Sequence, residues 1–487
     1  MLASLAVLIP LALVWLSSLV PAGYSVMAMG TAEFGGGQID AVHQDHVAYG
    51  WDGPPRQPGD VSVADLTGPR DRPPDITVQL VARAEPVTLA DGTTIDGYTL
   101  NGSSPGPEIR AAQGDLIEVT LVNESVPDGV TLHWHGVDVP NAEDGVAGVT
   151  QDAVPPGDSH VYRFVADDAG SYWYHSHQVS HTQVRGGLYG TLVVEASGGA
   201  AVDHDLTAAV HTYGSTVTVN GQPGGAHHGA GPGETVRVRL VNTDNSVRRT
   251  WVAGAPFRLV AIDGRDVNRP GIVAGQALDL PAGGRADVEF TTPDDGSPVE
   301  VQLGGVELII GPAGAVPRSN APTKVLDLLH YGDAVDLPFE PGTADRSFTY
   351  RIGRRPGFVD GRPGMFWTIN GGMYPDVPMY VVSAGDVVRM TITNTRADNH
   401  PMHLHGHHAV VLARNGVAAT GSPWWVDSLE VGRGETYEIA FLADNPGIWM
   451  DHCHDLSHAA EGLVAHLAYS GVYTPFRVGG DAKNEPE

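Results

Sequence analysis

Asp451-His452-Cys453-His454-Asp455-Leu456-Ser457-His458 decides how the rest of the chain is read. If residues 447–454 run as a strand, successive side chains point to opposite faces. His452 and His454 then share one face and Cys453 points to the other. One short strand can serve two metal centres, one on each side. The link between them is the backbone from the cysteine to its neighbours. That arrangement suits electron transfer from a single-electron site to a site that gathers several electrons.

Cys453 is the only cysteine of the 487 residues, so no intramolecular disulfide can form. A lone cysteine is more often a small buried hydrophobe than a ligand. Here three histidines lie within five residues of it. Thiolate, imidazoles and a weak axial group make the blue-copper ligand set.

Working outward, the same sequence logic recurs. His133-Trp134-His135, His175-Ser176-His177 and His403-Leu404-His405 are further His-x-His pairs, the last one inside a longer run from His400 to His407. Side chains at i and i+2 of a strand stand roughly 6–7 Å apart on one face, so one pair can reach two neighbouring metals. One such pair is a weak signal, because zinc sites use them too. Four pairs, one of them enclosing a cysteine, are far more specific. His227-His228 lies in a Gly-rich loop and reads as loop filler; His43 and His46 read as solvated loop residues.

The pairs sit on a threefold internal repeat. Gly114-Asp115-Leu116-Ile117-Glu118-Val119-Thr120-Leu121-Val122-Asn123 reappears as Gly233-Glu234-Thr235-Val236-Arg237-Val238-Arg239-Leu240-Val241-Asn242, and again as Gly385-Asp386-Val387-Val388-Arg389-Met390-Thr391-Ile392-Thr393-Asn394. Each copy is a turn followed by an alternating strand. Asn101-Gly102, Asn220-Gly221 and Asn370-Gly371 precede the copies at similar distances. Repeats this far apart mean three copies of a domain rather than a solenoid. The expected fold is all-β: three Greek-key β-sandwiches over 75–200, 201–330 and 331–487. The first and third carry the histidine pairs and the second carries none.

Ahead of them, residues 30–74 are rich in Gly, Pro and Asp and read as a flexible tether. Residues 1–29 form an apolar head. About 20 apolar residues can span a bilayer, so the expectation is a helix that anchors the chain, with signal cleavage after Ala22 or Ala28 as the alternative. No Lys or Arg appears before Arg56, which places the body outside the cytoplasm on either reading. Further membrane helices ahead of this sequence would also explain its abrupt start. Net charge is −29. A field of that sign repels nucleic acid and anionic membrane surfaces and favours neutral or cationic partners.

Taken together, residues 75–475 resemble the three-domain multicopper oxidases, the family of laccases, ascorbate oxidase and bacterial copper oxidases. The resemblance implies cupredoxin-like domains and four copper ions. It implies a type 1 copper on His400, Cys453 and His458, and a type 2 copper on His133 and His403. It implies one type 3 copper on His135, His175 and His454, and another on His177, His405 and His452. His407 closes its motif without being a family ligand; His181 and His466 lie near ligand segments. The implied reaction is one-electron oxidation of a phenol-like or metal-ion reductant, coupled to reduction of dioxygen to water. His458 or His400 would take up the electrons.

Two positions depart from the family pattern. Leu463 stands where many bacterial members have an axial Met, and leucine cannot coordinate. Ala459 stands where an acidic residue often follows the second type 1 histidine; Asp455 or Glu461 is the expected substitute in proton delivery. The family's carboxylate near the type 2 site does have a match, Asp144, which could orient water and supply protons. Three rivals are weighed against this reading. A copper nitrite reductase lacks a type 3 pair, against His175-Ser176-His177. A cuprous or ferrous oxidase of metal homeostasis would show Met-rich or acidic docking loops; Met is sparse, but the acidic surface suits it. A copper-free interaction scaffold would have lost ligands that this chain keeps.

Overall fold

The computed structural model describes residues 2–36, 50–199, 201–312 and 319–487. His43 and His46 lie outside the described residues. The body is built from paired sheets. The first pair comprises a sheet in the order 133–135, 170–175, 189–195, 109–112 and another in the order 159–165, 116–123, 76–84, 98–100. Leu80, Val119, Leu121, Trp134, Tyr162 and Leu192 fill the space between them. The middle unit pairs a seven-stranded with a five-stranded sheet, and the third a six-stranded with a seven-stranded sheet. The described body is therefore nearly all sheet, as expected.

The threefold repeat has a structural cause. Leu116–Asn123, Thr235–Asn242 and Val387–Asn394 occupy the same place in each unit. Each pairs in parallel with the first long strand of its unit and antiparallel with a later one. Asn101, Asn220 and Asn370 all adopt the left-handed conformation, at φ 56°, 51° and 53°. Asparagine tolerates that region better than most residues. Each then clips the first strand twice: its amide donates to the carbonyl of Gln79, Thr207 or Thr349 and its oxygen accepts from the N–H of Val81, Ala209 or Arg351.

The segment before residue 75 departs from the expectation of a tether. Where it is described, it is stitched to the third unit. Gly23–Tyr24 pairs with residues 478–479, Ala32–Glu33 with residues 379–380 and Val61–Ser62 with residues 472–473. Two-residue strands leave no periodic signature in a sequence, which is why composition suggested a loose linker.

The apolar head is also shorter than expected. Its helix is Leu2–Ser17, 16 residues. At 1.5 Å per residue this is about 24 Å, below the roughly 30 Å of a bilayer core. Ser17 and Ser18 turn their hydroxyls back onto the carbonyls of Val14 and Trp15, and the helix stops there. Among the described residues no helix is long and apolar enough to cross a membrane. The expected spanning helix is therefore not supported among the described residues, and near the helix end Trp15 donates to Gly361 O at 3.0 Å.

Candidate metal centres

Ile448–Cys453 is an inner strand of the third unit, between Val464–Tyr469 and His400–Leu404. Register sets Cys453 opposite Met402 and His452 opposite His403. Alternation then delivers the thiol to one side and His452 to the other.

On the thiol side, Cys453 Sγ lies 3.7 Å from His400 Nδ1 and 3.8 Å from His458 Nδ1. Two donors at usual imidazole and thiolate bond lengths, about 120° apart around one ion, would stand about 3.7 Å from each other. The donor set therefore fits a trigonal His₂Cys site. His458 comes from the short helix Leu456–Ala460, capped by Asp455, whose side chain accepts from Ser457 N. Burial pushes the Cys453 thiol up, and a bound cation is what would hold it as thiolate. Burial also lowers His400 to about 4, with the nearby His458 adding to the effect, so its imidazole is neutral and free to donate. Leu463 is fully buried here. Its carbonyl accepts from Cys453 N and its N–H donates to His458 O, which holds it against both. Trp367 sets its ring edge-on to His400 at 4.7 Å and tilted to His458 at 4.6 Å, measured between centroids. His400 is sealed off, whereas the His458 side chain keeps 19 % exposure. The solvent-facing edge of this centre belongs to His458.

On the other side, eight imidazoles converge. His133–His135 pairs with the strand Gly170–His175, and His133 sits opposite His175. His133 Nε2 is 3.3 Å from His403 Nε2, and His405 Nε2 is 3.2 Å from His452 Nε2. His177, His405 and His452 present donor atoms close enough to hold one ion, and so do His133, His135 and His175. The His454 ring lies 4.9 Å from that of His135 and 5.5 Å from that of His175. His135 Nδ1, His175 Nε2, His177 Nε2 and both His454 nitrogens are buried with no hydrogen-bond partner. Unpaired buried polar atoms cost free energy, so their convergence is what a metal cluster explains. Burial lowers the pKa of His135, His175, His177, His405, His452 and His454 well below normal, and neighbouring imidazoles add to it. They stand as neutral rings with lone pairs available.

The outer ring nitrogens are held by the protein. Asp144 accepts from His405 Nδ1 at 3.1 Å and also lies 3.1 Å from His133 Nδ1. Its loop can press against the strand because residue 145 is glycine: a Cβ there would meet Leu132 O at 1.8 Å. All ten histidines named as ligands and Cys453 thus fall into two groups, with Asp144 beside the larger one. His407 stays outside, bonded to Tyr469 Oη at 2.7 Å. His181 and His466 line a cavity of about 750 Å³ with Ala459 and Glu487, outside both groups. His228 pairs with His204, far along the chain from either group.

Several residues were not legible beforehand. Asp427 lies 3.1 Å from His135 Nε2, and its carbonyl accepts from His403 Nδ1 at 2.9 Å. Arg285 of the middle unit grips Asp427 through two bonds of 2.5 Å and is fully buried. Gly136 leaves the space: a Cβ would meet Arg285 Nη2 at 2.0 Å. A charged residue directly after the apolar run Trp424–Val426 was the only hint of Asp427. The expected acids do not serve the cluster. Asp455 caps the short helix, and Glu461 is 50 % exposed beside Arg354. Besides Asp144 and Asp427, a third carboxyl comes close to the cluster: Glu487, 3.1 Å from His452 Nδ1 and pushed up to about 8 by burial.

With this geometry in view, comparison with known proteins is direct. Two multicopper oxidase family models match, over residues 82–198 and 355–471. Laccase-1 of Botryotinia fuckeliana is 29 % identical over 78 % of this chain and 80 % of its own length. The iron transport multicopper oxidase FET3 of Candida albicans is 26 % identical over 75 % of this chain and 72 % of its own. The crystal structure of a multicopper oxidase from Pseudomonas thermotolerans superimposes with a TM-score of 0.68 at 27 % identity, covering 82 % of this chain and all of that one. The chain belongs to the multicopper oxidase family. It is a copper-dependent oxidoreductase that uses oxygen as acceptor, and the family's complement is four copper ions.

Proposed function

We propose that the chain is a laccase-like oxidase in which His400, Cys453 and His458 hold the type 1 copper. His133 and His403 hold the type 2 copper; His135, His175 and His454 hold one type 3 copper, and His177, His405 and His452 the other. Copper bound there supplies the redox chemistry, in which four single electrons and four protons convert one O₂ to two waters. The protein fixes the rest. Trp367 and the buried His400 exclude water from one side of the thiol, and the His458 edge is where a reductant can approach. Asp144 orients His405 and stands ready to hold a proton near the cluster. The observation that carries this reading is the strand Ile448–Cys453, which gives one residue to the thiol centre and the next on either side to the histidine cluster.

The reductant is phenol-like or a metal ion. An acidic side chain beside the exposed edge favours keeping the second reading: Asp455 Oδ2 lies 3.5 Å from His458 Nε2. The iron transport relative supports it too. Oxygen uptake by copper-loaded protein with phenols, Fe(II) and Cu(I) separates the classes by kcat/KM. No uptake with any of them would overturn the oxidase reading. We propose further that the body lies outside the cytoplasm, with the apolar head as its anchor or a cleaved signal; a reporter fused after Glu487 that is active only in the cytoplasm would refute this.

A further inference from the structure

The groups around the exposed His458 edge are of both signs. Asp455 is the acid beside it. Two arginines answer from the other side of the thiol centre. The hairpin of Arg346–Val359 and Arg362–Ile369 sets Arg354 directly across from Trp367. Cross-strand partners share a face, so the Arg354 side chain leaves the hairpin on the side of Trp367. Its guanidinium carbon lies 4.7 Å above the centre of the Trp367 ring. That ring also contacts His400 and His458. Arg354 is thus one aromatic ring away from both imidazoles of the thiol centre. Arg396 arrives from the loop that leads into His400–Leu404, and its Nη2 donates to the Arg354 carbonyl.

Both forks are left open. Elsewhere in this chain carboxylates close the guanidiniums tightly: Arg237 bonds Glu289 at 2.5 Å, and Arg249 grips Asp279 through bonds of 2.8 and 2.9 Å. Arg354 instead points Nε at Met365 O, at 3.3 Å, and the carboxylate paired with it is the half-exposed Glu461 at 3.5 Å. A pair so long and so exposed contributes little. Arg396 is exposed and meets no carboxylate among the described residues. The net charge of −29 repels anions from the molecule as a whole. Two open forks beside the edge where electrons enter give an anion a place to bind. A guanidinium fork matches a carboxylate with two parallel hydrogen bonds, whereas a metal cation gains nothing from it.

We propose that Arg354, with Arg396 beside it, is a specificity-determining residue that selects reductants carrying both a phenolic hydroxyl and a carboxylate. The proposal rests on the phenol reading above and narrows it. The carboxylate binds the Arg354 fork, and the aromatic ring reaches from there to the His458 edge. Oxidation takes one electron from the ring and the proton from its hydroxyl. The electron enters at His458, the proton passes to water, and the product is a phenoxyl radical with its carboxylate intact.

The test uses syringate, a phenol with a carboxylate opposite its hydroxyl, and its methyl ester, which lacks the charge. kcat/KM is measured for both with copper-loaded wild type, Arg354→Ala, Arg354→Glu, Arg354→Lys and Arg355→Ala. Arg355 lies on the opposite face of the same strand, across from Phe366, so its loss removes the same charge without the fork. The acid-to-ester ratio should fall about 10-fold in Arg354→Ala, the scale of one exposed charge-assisted contact, and mainly through KM of the acid. It should fall further in Arg354→Glu and part-way in Arg354→Lys, which keeps the charge but not the planar fork. Added salt should shrink the wild-type preference, and Arg355→Ala should keep it. A shifted type 1 potential would act on both probes, so the ratio reads recognition, and the blue absorption reports that each variant is folded and loaded. An unchanged ratio in Arg354→Ala and Arg354→Glu, or an equal fall in Arg355→Ala, would overturn the proposal. If Arg354→Glu does not fold, Arg354→Ala and Arg354→Lys decide. If the wild type oxidises neither probe, the phenol reading itself fails and takes the proposal with it.

Discussion

The three donors of the thiol centre lie within residues 400–458, on one strand, its neighbour and a short helix. The eight imidazoles on the other face come from two units, with His133 and His403 separated by 270 positions yet 3.3 Å apart. One centre is built by local register, the other by the meeting of domains. The contrast gives the middle unit a role without any ligand of its own. Arg285 crosses from it to pin Asp427, and Asp427 steadies His135 and His403. A centre assembled by register should survive damage elsewhere; a centre assembled at an interface should respond to every brace.

The largest test cuts the link between the two. Cys453→Ser removes the thiolate but leaves His452 and His454 in register. The blue absorption should vanish and steady-state oxygen reduction should fall at least about 1,000-fold, the scale on which removing a whole catalytic group acts. Three coppers should remain by metal analysis. Loss of all four would show that the histidine cluster is not independent of the thiol side.

The next test breaks the brace. Asp427→Ala strands a fully buried Arg285 with Asp263 as its remaining carboxylate, at 3.5 Å. Removing one partner of a buried ion pair costs about 3–5 kcal/mol. Chemical denaturation should show that loss, and cluster copper should bind about 10–100-fold more weakly while the blue band persists. A variant that loses blue copper first would reverse the assignment of local and shared sites.

How much of this was written in the sequence follows the same divide. The threefold strand, its Asn-Gly clip and the His-x-His pairs are local patterns, and period-two alternation turns them directly into faces. Arg285 and Asp427 are 142 positions apart, and no periodicity connects them. Only the packing of the second unit on the third reveals their pairing. Glu487 escaped for a similar reason: its segment is irregular and meets His452 only in the folded chain. Asp455 and Glu461 were favoured as proton donors because they are near Ala459 in sequence, but they flank the short helix, Asp455 capping it and Glu461 beside Arg354. The pairing of residues 32–33 and 61–62 with the third unit was hidden because strands of two residues carry no period.

A smaller effect is expected at Leu463. It is packed against the Cys453 and His458 backbones, where a thioether could approach the copper. Axial ligand identity tunes the potential of such sites. Leu463→Met should favour Cu(II) and lower the potential by some tens of millivolts, where about 59 mV is a factor of ten for one electron. The cluster should be untouched. A redox titration showing an unchanged potential in fully loaded protein would place the axial position elsewhere.

The smallest effect separates two buried acids three residues apart. Burial alone would raise the Asp427 pKa, but Arg285 and hydrogen bonds from His135, His403 and His408 hold it well below the usual range. Glu430 lies on the paired strand Ser428–Val431, on the side whose charge is felt at the Cys453 thiol. Both its carboxylate oxygens are sealed from water. Burial outweighs the pull from Asn399, and Asp279, Glu435 and Asp455 add to it, so the carboxyl is pushed up to about 7. Among the described residues no cation pairs with it as Arg285 pairs with Asp427. The folded-state pKa therefore exceeds the unfolded value of about 4.3, so the folded state binds the proton more tightly. Its contribution to stability is full below about pH 4.3 and is lost as pH rises through 7. Glu430→Gln removes that dependence. At pH 8 the variant should be more stable by about 1–2 kcal/mol, a discount from the full shift because part of the residue still meets solvent. At pH 4.3 the two proteins should unfold together. Urea unfolding at both values checks the difference. Equal stability at pH 8 would mean that the Glu430 carboxylate is answered by a cation after all, and that the two acids are not the opposites their surroundings make them.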